Sequence, residues 1–112
     1  MIKHYQHYIN GAFCDPLSGS WFDSENPYTG EVWAKIAEGN ANDVDAAVKA
    51  ARAAFDGEWG TIGPTARGKL LVKLAEIIER EAVRLGEIEV RDNGKLIAEM
   101  GAQTKYLAEW YR

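Results

Sequence analysis

A single cysteine among 112 residues leaves no partner for an internal disulfide. Cys14 therefore points to a reducing compartment, and the expected location is cytoplasmic. No apolar run approaches the roughly 18–20 residues that a membrane-spanning helix needs. The leading residues Met1-Ile2-Lys3-His4-Tyr5-Gln6-His7 lack the apolar core of a signal peptide. Positive charge is also scarce, since 13 Lys and Arg stand against 17 Asp and Glu, for a formal charge of -4. That balance excludes nucleic acid and anionic membrane as main partners, because both require a basic face. Neither G-x-G-x-x-G nor G-x-x-x-x-G-K-[ST] occurs, so the two common phosphate-cradling loops are missing. His4 and His7 do not make a metal pair: in a strand, residues three apart point to opposite faces. No cluster of cysteines or carboxylates completes a tetrahedral set around them.

What is present is an ordinary globular composition, 46% hydrophobic and 27% charged. Asn10-Gly11, between Tyr8-Ile9 and Phe13, is a two-residue hairpin signal, because a type I′ turn needs positive φ at both positions. Asp15-Pro16-Leu17-Ser18-Gly19-Ser20 reads as a second turn. Trp21 and Phe22 open another strand, which Asn26-Pro27 ends. Val32 to Ala37 forms the next, with Val32, Ala34 and Ile36 expected on one face and Trp33 and Lys35 on the other. Strands and hairpins are thus expected over residues 5–37.

Three helices follow, at about 41–56, 64–91 and 96–112. Asn40 is the N-cap of the first, with Asp43 at N3 and acids in the first turn, where the helix dipole favours them. Val44, Ala47, Val48, Ala51 and Phe55 form its apolar stripe, and Gly57 ends it. Pro64 suits the first position of the second helix. Leu70, Leu71, Leu74, Ile77, Ile78, Ala82, Leu85 and Ile88 form its stripe, with Glu76–Arg80 and Glu87–Arg91 as exposed i,i+4 pairs. Asp92-Asn93-Gly94-Lys95 breaks it. The third carries Leu96, Met100, Leu107, Trp110 and Tyr111 on roughly one side.

The hairpin Tyr8-Ile9-Asn10-Gly11-Ala12-Phe13, the turn Asn26-Pro27-Tyr28-Thr29-Gly30-Glu31 and the alanine-rich run Ala37 to Phe55 occur in a specific order. In that order they resemble the opening of the NAD(P)-dependent aldehyde dehydrogenase superfamily, and the resemblance continues to Arg112. It implies an α/β fold, of which this chain supplies the N-terminal part: β-hairpins followed by three helices. It also implies oxidation of an aldehyde to a carboxylate with NAD or NADP, by an enzyme that is a homo-oligomer when complete.

The family's nucleophilic cysteine, its catalytic glutamate and its dinucleotide contacts all lie beyond Arg112. Cys14 does not match the nucleophile, and no helix N-terminus or cationic partner stands near it in sequence; a structural cysteine is expected. No catalytic or cofactor-binding residue is therefore assigned, and the chain alone is expected to be inactive. By resemblance, the backbone carbonyls of Ser24 and Glu25 and the side chain of Asp92 would hold a monovalent cation, Na⁺ or K⁺. Oxygen donors suit a hard cation. The plainer reading of Asp92 is a helix terminator in an Asp-Asn-Gly turn. The resemblance also places Tyr106 and Trp110 at the mouth of an aldehyde tunnel, against the plainer reading of an aromatic face buried as core.

The last stretch carries no stop signal, so the C-terminus reads as an interruption and the chain as a truncated segment. The alternative is a non-catalytic short protein that keeps the scaffold and docks on a full-length relative.

Overall fold

The computed structural model describes residues 1–112, which form two compact units. The first unit comprises Met1–Glu25 with Glu31–Thr61, and the second Asn26–Gly30 with Ile62–Arg112.

In the first unit, Asn10 and Gly11 take φ of 53° and 77°, the left-handed pair that a type I′ turn requires. They join β2 (His7–Ile9) to β3 (Ala12–Cys14) in an antiparallel ladder pairing His7 with Cys14 and Tyr8 with Phe13. The Tyr8 and Phe13 rings meet edge to face at 5.0 Å. A second sheet has the order β1-β5-β4. Its central strand β5 (Val32–Ala37) runs antiparallel to β4 (Trp21–Glu25) and parallel to β1 (Lys3–Tyr5). The strands thus begin two residues before the expected start at Tyr5. Ala34 and Ala37 are buried in β5, while Val32, Trp33, Lys35 and Ile36 are half-buried. Neither face of β5 is left exposed. A central strand has both edges paired, and its rings pack with neighbours: Trp33 lies edge-on to Tyr5 at 5.8 Å.

Helix α1 (Ala41–Asp56) starts as its sequence indicates. Asn40 accepts hydrogen bonds from the Asn42 and Asp43 amides, and Asp43 accepts one from the Asn40 amide, which completes a capping box. Its apolar stripe is uncovered, with Val44, Val48 and Phe55 all exposed. The short helix α2 (Glu58–Thr61) follows Gly57, where only a helix end was expected. Gly60 permits this tight reversal: a Cβ there would sit 1.9 Å from the Phe55 carbonyl oxygen.

The second unit is helical. α3 spans Pro64–Asn93, 30 residues, two beyond the expected end at Arg91, so Asp92 and Asn93 are helical. The stop is Gly94, left-handed at φ 74°, whose amide donates to the Val90 carbonyl. The buried positions of α3 are Ala75, Ala82 and Gly86, not the large residues of the stripe: Leu70, Leu71, Leu74 and Ile77 are exposed. Small residues let α4 (Ile97–Tyr106) approach closely, with the Met100 side chain fully enclosed. The expected helix over 96–112 divides. α4 ends at Tyr106 and residues Leu107–Tyr111 tighten into a 3₁₀ turn. There the Arg112 guanidinium bridges Glu79 of α3 and Glu109, which holds the last turn against α3. The expected Glu76–Arg80 pairing is also replaced, since Glu81 takes both Arg80 and Arg84.

Candidate functional site

Of the three expected cation ligands, Ser24 and Glu25 end β4 and Asp92 lies in the last turn of α3. Ser24 and Glu25 belong to the first unit and Asp92 to the second. The strand register slips between Ser24 and Glu25, so the ladder is irregular at that point. The Ser24 hydroxyl is already used, accepting the Trp33 indole N–H at 3.0 Å. Around Asp92 the helix end is pinned by Asn93, whose side chain donates to Glu89 and accepts from the Lys95 amide.

Tyr106 and Trp110 are brought together, edge to face at 6.2 Å and 89°. Neither is buried within this chain, at 62% and 75% exposed. The reason is local, since Thr104 and Ala108 take the inward positions of that stretch.

Cys14 is a free, half-buried thiol across the ladder from His7. The two histidines part company, not as opposite faces of one strand but because His4 lies in β1 and His7 in β2, strands of different sheets. His4 lies over Trp21 with ring centroids 4.8 Å apart, while His7 turns toward Asp43, with Nε2 3.9 Å from Oδ1. Asp43 is buried, and its carboxylate is held below the usual aspartate range by the Asn40 amide, then the Leu17 amide, with a smaller contribution from His7. Sequence reasoning identified Asp43 only as a cap. Its bond to the Leu17 amide spans 26 positions and left no local signal.

The crossing from β5 into α1 is the one strand-to-helix junction of this chain, and it does not fit a dinucleotide phosphate. The Asn40 and Asp43 side chains already occupy the helix N-terminus, and Asp43 is an anion there. No residue here is assigned to NAD or NADP. No helix is long and apolar enough to cross a membrane.

These elements have close counterparts. The aldehyde dehydrogenase family model matches residues 13–112. The chain is 46% identical over 112 residues to (Z)-2-((N-methylformamido)methylene)-5-hydroxybutyrolactone dehydrogenase of Acinetobacter baylyi, covering 99% of this chain and 22% of that protein. It is 47% identical over 92 residues to the mitochondrial aldehyde dehydrogenase of Homo sapiens, covering 80% of this chain and 18% of that one. The NAD-dependent aldehyde dehydrogenase of Sinorhizobium meliloti superposes with a TM-score of 0.94 at 34% identity, over 99% of this chain and 22% of that chain. The chain belongs to the aldehyde dehydrogenase family. It corresponds to an N-terminal segment and spans about a fifth of the length of the relatives it matches.

Proposed function

We propose that this chain serves the oxidation of an aldehyde to a carboxylate with NAD⁺ or NADP⁺, as the leading segment of such an enzyme. The observation that carries the reading is the family match from residue 13 to residue 112. The segment contributes scaffold: the small sheet, the hairpin and α3 with α4. The reacting thiolate, the general base and the dinucleotide contacts come from residues outside 1–112, so the chain alone has no dehydrogenase activity. Cys14 is structural; it lies half-buried in strand β3.

Two roles are assigned within the segment. By resemblance to the family, the carbonyls of Ser24 and Glu25 and the carboxylate of Asp92 are assigned to Na⁺ or K⁺ in the complete enzyme. Tyr106 and Trp110 line the approach of the aldehyde, supported by their exposure as a packed aromatic pair. The complete enzyme is a homo-oligomer, and its compartment is the cytoplasm, in keeping with a lone free thiol.

The test is a chimaera in which residues 1–112 replace the matching segment of a relative. It is expected to retain aldehyde-dependent NAD(P)H formation, while the 112-residue chain gives none. A folded but inactive chimaera overturns the enzymatic reading. Turnover by the short chain that vanishes in Cys14→Ser overturns the assignment of Cys14 as structural.

A further inference from the structure

The His7 side chain contains a polar atom with no partner. Its Nε2 is enclosed yet makes no hydrogen bond, and buried nitrogens of that kind are uncommon enough to need a cause. Asp43 Oδ1 stands 3.9 Å away, within ion-pair range and beyond hydrogen-bond reach. Gly39 closes the other side: a Cβ there would lie 3.4 Å from His7 Cε1 and 3.6 Å from Nε2. These residues, with Val44 and others, line a pocket of about 230 Å³ that opens to solvent. The ring has room to move toward the carboxylate.

Asp43 does not have that freedom. Its Oδ1 accepts the Leu17 amide at 3.1 Å and its Oδ2 the Asn40 amide at 2.9 Å. The carboxylate is thus a fixed anion tied to the turn after β3 and to the start of α1, and His7 is the movable partner. The elements packed against β2 are β3 and α1. From α1 the group facing His7 is Asp43, and from β3 it is the Cys14 thiol across the ladder. The connection at Gly39 adds no side chain.

We propose that His7 is a pH-sensitive latch that fastens the β2–β3 hairpin to the N-terminal turn of α1. With a proton from solvent, the imidazolium donates Nε2–H to Asp43 and the 3.9 Å gap closes. Without it, Nε2 is left enclosed and unsatisfied, and the hairpin is held less firmly. The latched form binds one proton more than the unlatched form. Its contribution is therefore present at the acidic end of the imidazole range and lost as pH rises through that range.

The experiment uses the chimaera in which residues 1–112 replace the matching segment of a relative and compares it with its His7→Gln variant, which keeps a polar side chain that cannot become a cation. Melting temperatures are measured from about pH 5.5 to about pH 8, where histidine changes charge. The unsubstituted chimaera is expected to melt above the variant at the acidic end, by a gap that shrinks toward the alkaline end. A gap that is the same at every pH overturns the proposal. Ring ¹⁵N shifts of His7 in the unsubstituted chimaera give a second reading that does not depend on the variant folding. A cationic ring at the acidic end, with Nε2 shielded by a strong hydrogen bond, supports the latch. A neutral ring at both ends overturns it.

Discussion

Pro27 packs against the bare Cα of Gly94. A Cβ on Gly94 would meet Pro27 Cβ at 3.1 Å and Cγ at 3.3 Å, and the residue is left-handed at φ 74°. Two constraints thus select glycine at one position: a backbone that L side chains avoid, and a ring that fills the space a side chain would need.

Gly94→Ala is expected to destabilise the second unit by about 1–2 kcal/mol, the cost of a left-handed alanine, with a further increment from Pro27. Gly94→Asn, which tolerates that backbone better, should cost less but keep the clash. Pro27→Ala placed in the Gly94→Ala background should recover only the Cγ share of the steric part, because alanine keeps the Cβ at 3.1 Å. Denaturant unfolding of the single and double variants checks this. Strict additivity would show that the two residues do not interact.

Removing the cap by Asn40→Ala should cost about 1 kcal/mol. Asp43 adds a pH dependence with a definite sign. Its folded carboxyl titrates below the ordinary value of 3.8, held there mainly by the Asn40 and Leu17 amides. The ionised form is therefore favoured by folding. Its stabilisation is complete above the ordinary carboxylate range and is lost as pH falls from there toward the lower folded value. Asp43→Asn should flatten this part of the acid limb, as followed by unfolding at a series of acidic pH values.

In the chimaera carrying residues 1–112, Asp92→Ala should abolish any dependence of thermal stability on Na⁺ or K⁺. A melting temperature that responds equally to K⁺ in both proteins would remove Asp92 from the cation reading. Aldehyde oxidation, measured separately, shows whether the enzymatic reading stands without it.

The free chain is expected to self-associate. Leu70, Leu74 and Ile77 of α3 and Trp110 after α4 are all exposed, a density of apolar surface that single domains seldom leave open. Light scattering coupled to size exclusion should give masses above 12.4 kDa, and apolar dyes should bind. A cooperative monomer would refute the expectation.

Legibility in the sequence followed the range of each interaction. Asn10-Gly11, Asn40 with Asp43, and Gly94 act through their own backbone or within one helical turn, and each was readable. The parallel pairing of β1 with β5 was not, because Lys3 and Ala34 are far apart in sequence and neither carries a mark of the other. Apolar periodicity located α1 and α3 but did not say which residues are buried. In α3 the contact runs through Ala75, Ala82 and Gly86; the stripe included Ala82, but Ala75 and Gly86 are small residues that the search for large apolar side chains passed over. The site divides in the same way. The resemblance named Ser24, Glu25 and Asp92, whereas the approach of His7 to Asp43 needed coordinates.

Gly86 faces the Met100 carbonyl at 3.6 Å and the Thr104 hydroxyl oxygen at 3.5 Å from where a Cβ would stand. Those are ordinary contact distances, so one methyl group fits at position 86 and nothing larger does without parting the helices. The separation of α3 from α4 is therefore adjustable through this one residue. Because Tyr106 and Trp110 follow directly on α4, serine or valine at position 86 should displace the aromatic pair outward in graded steps while its own chemistry stays unchanged.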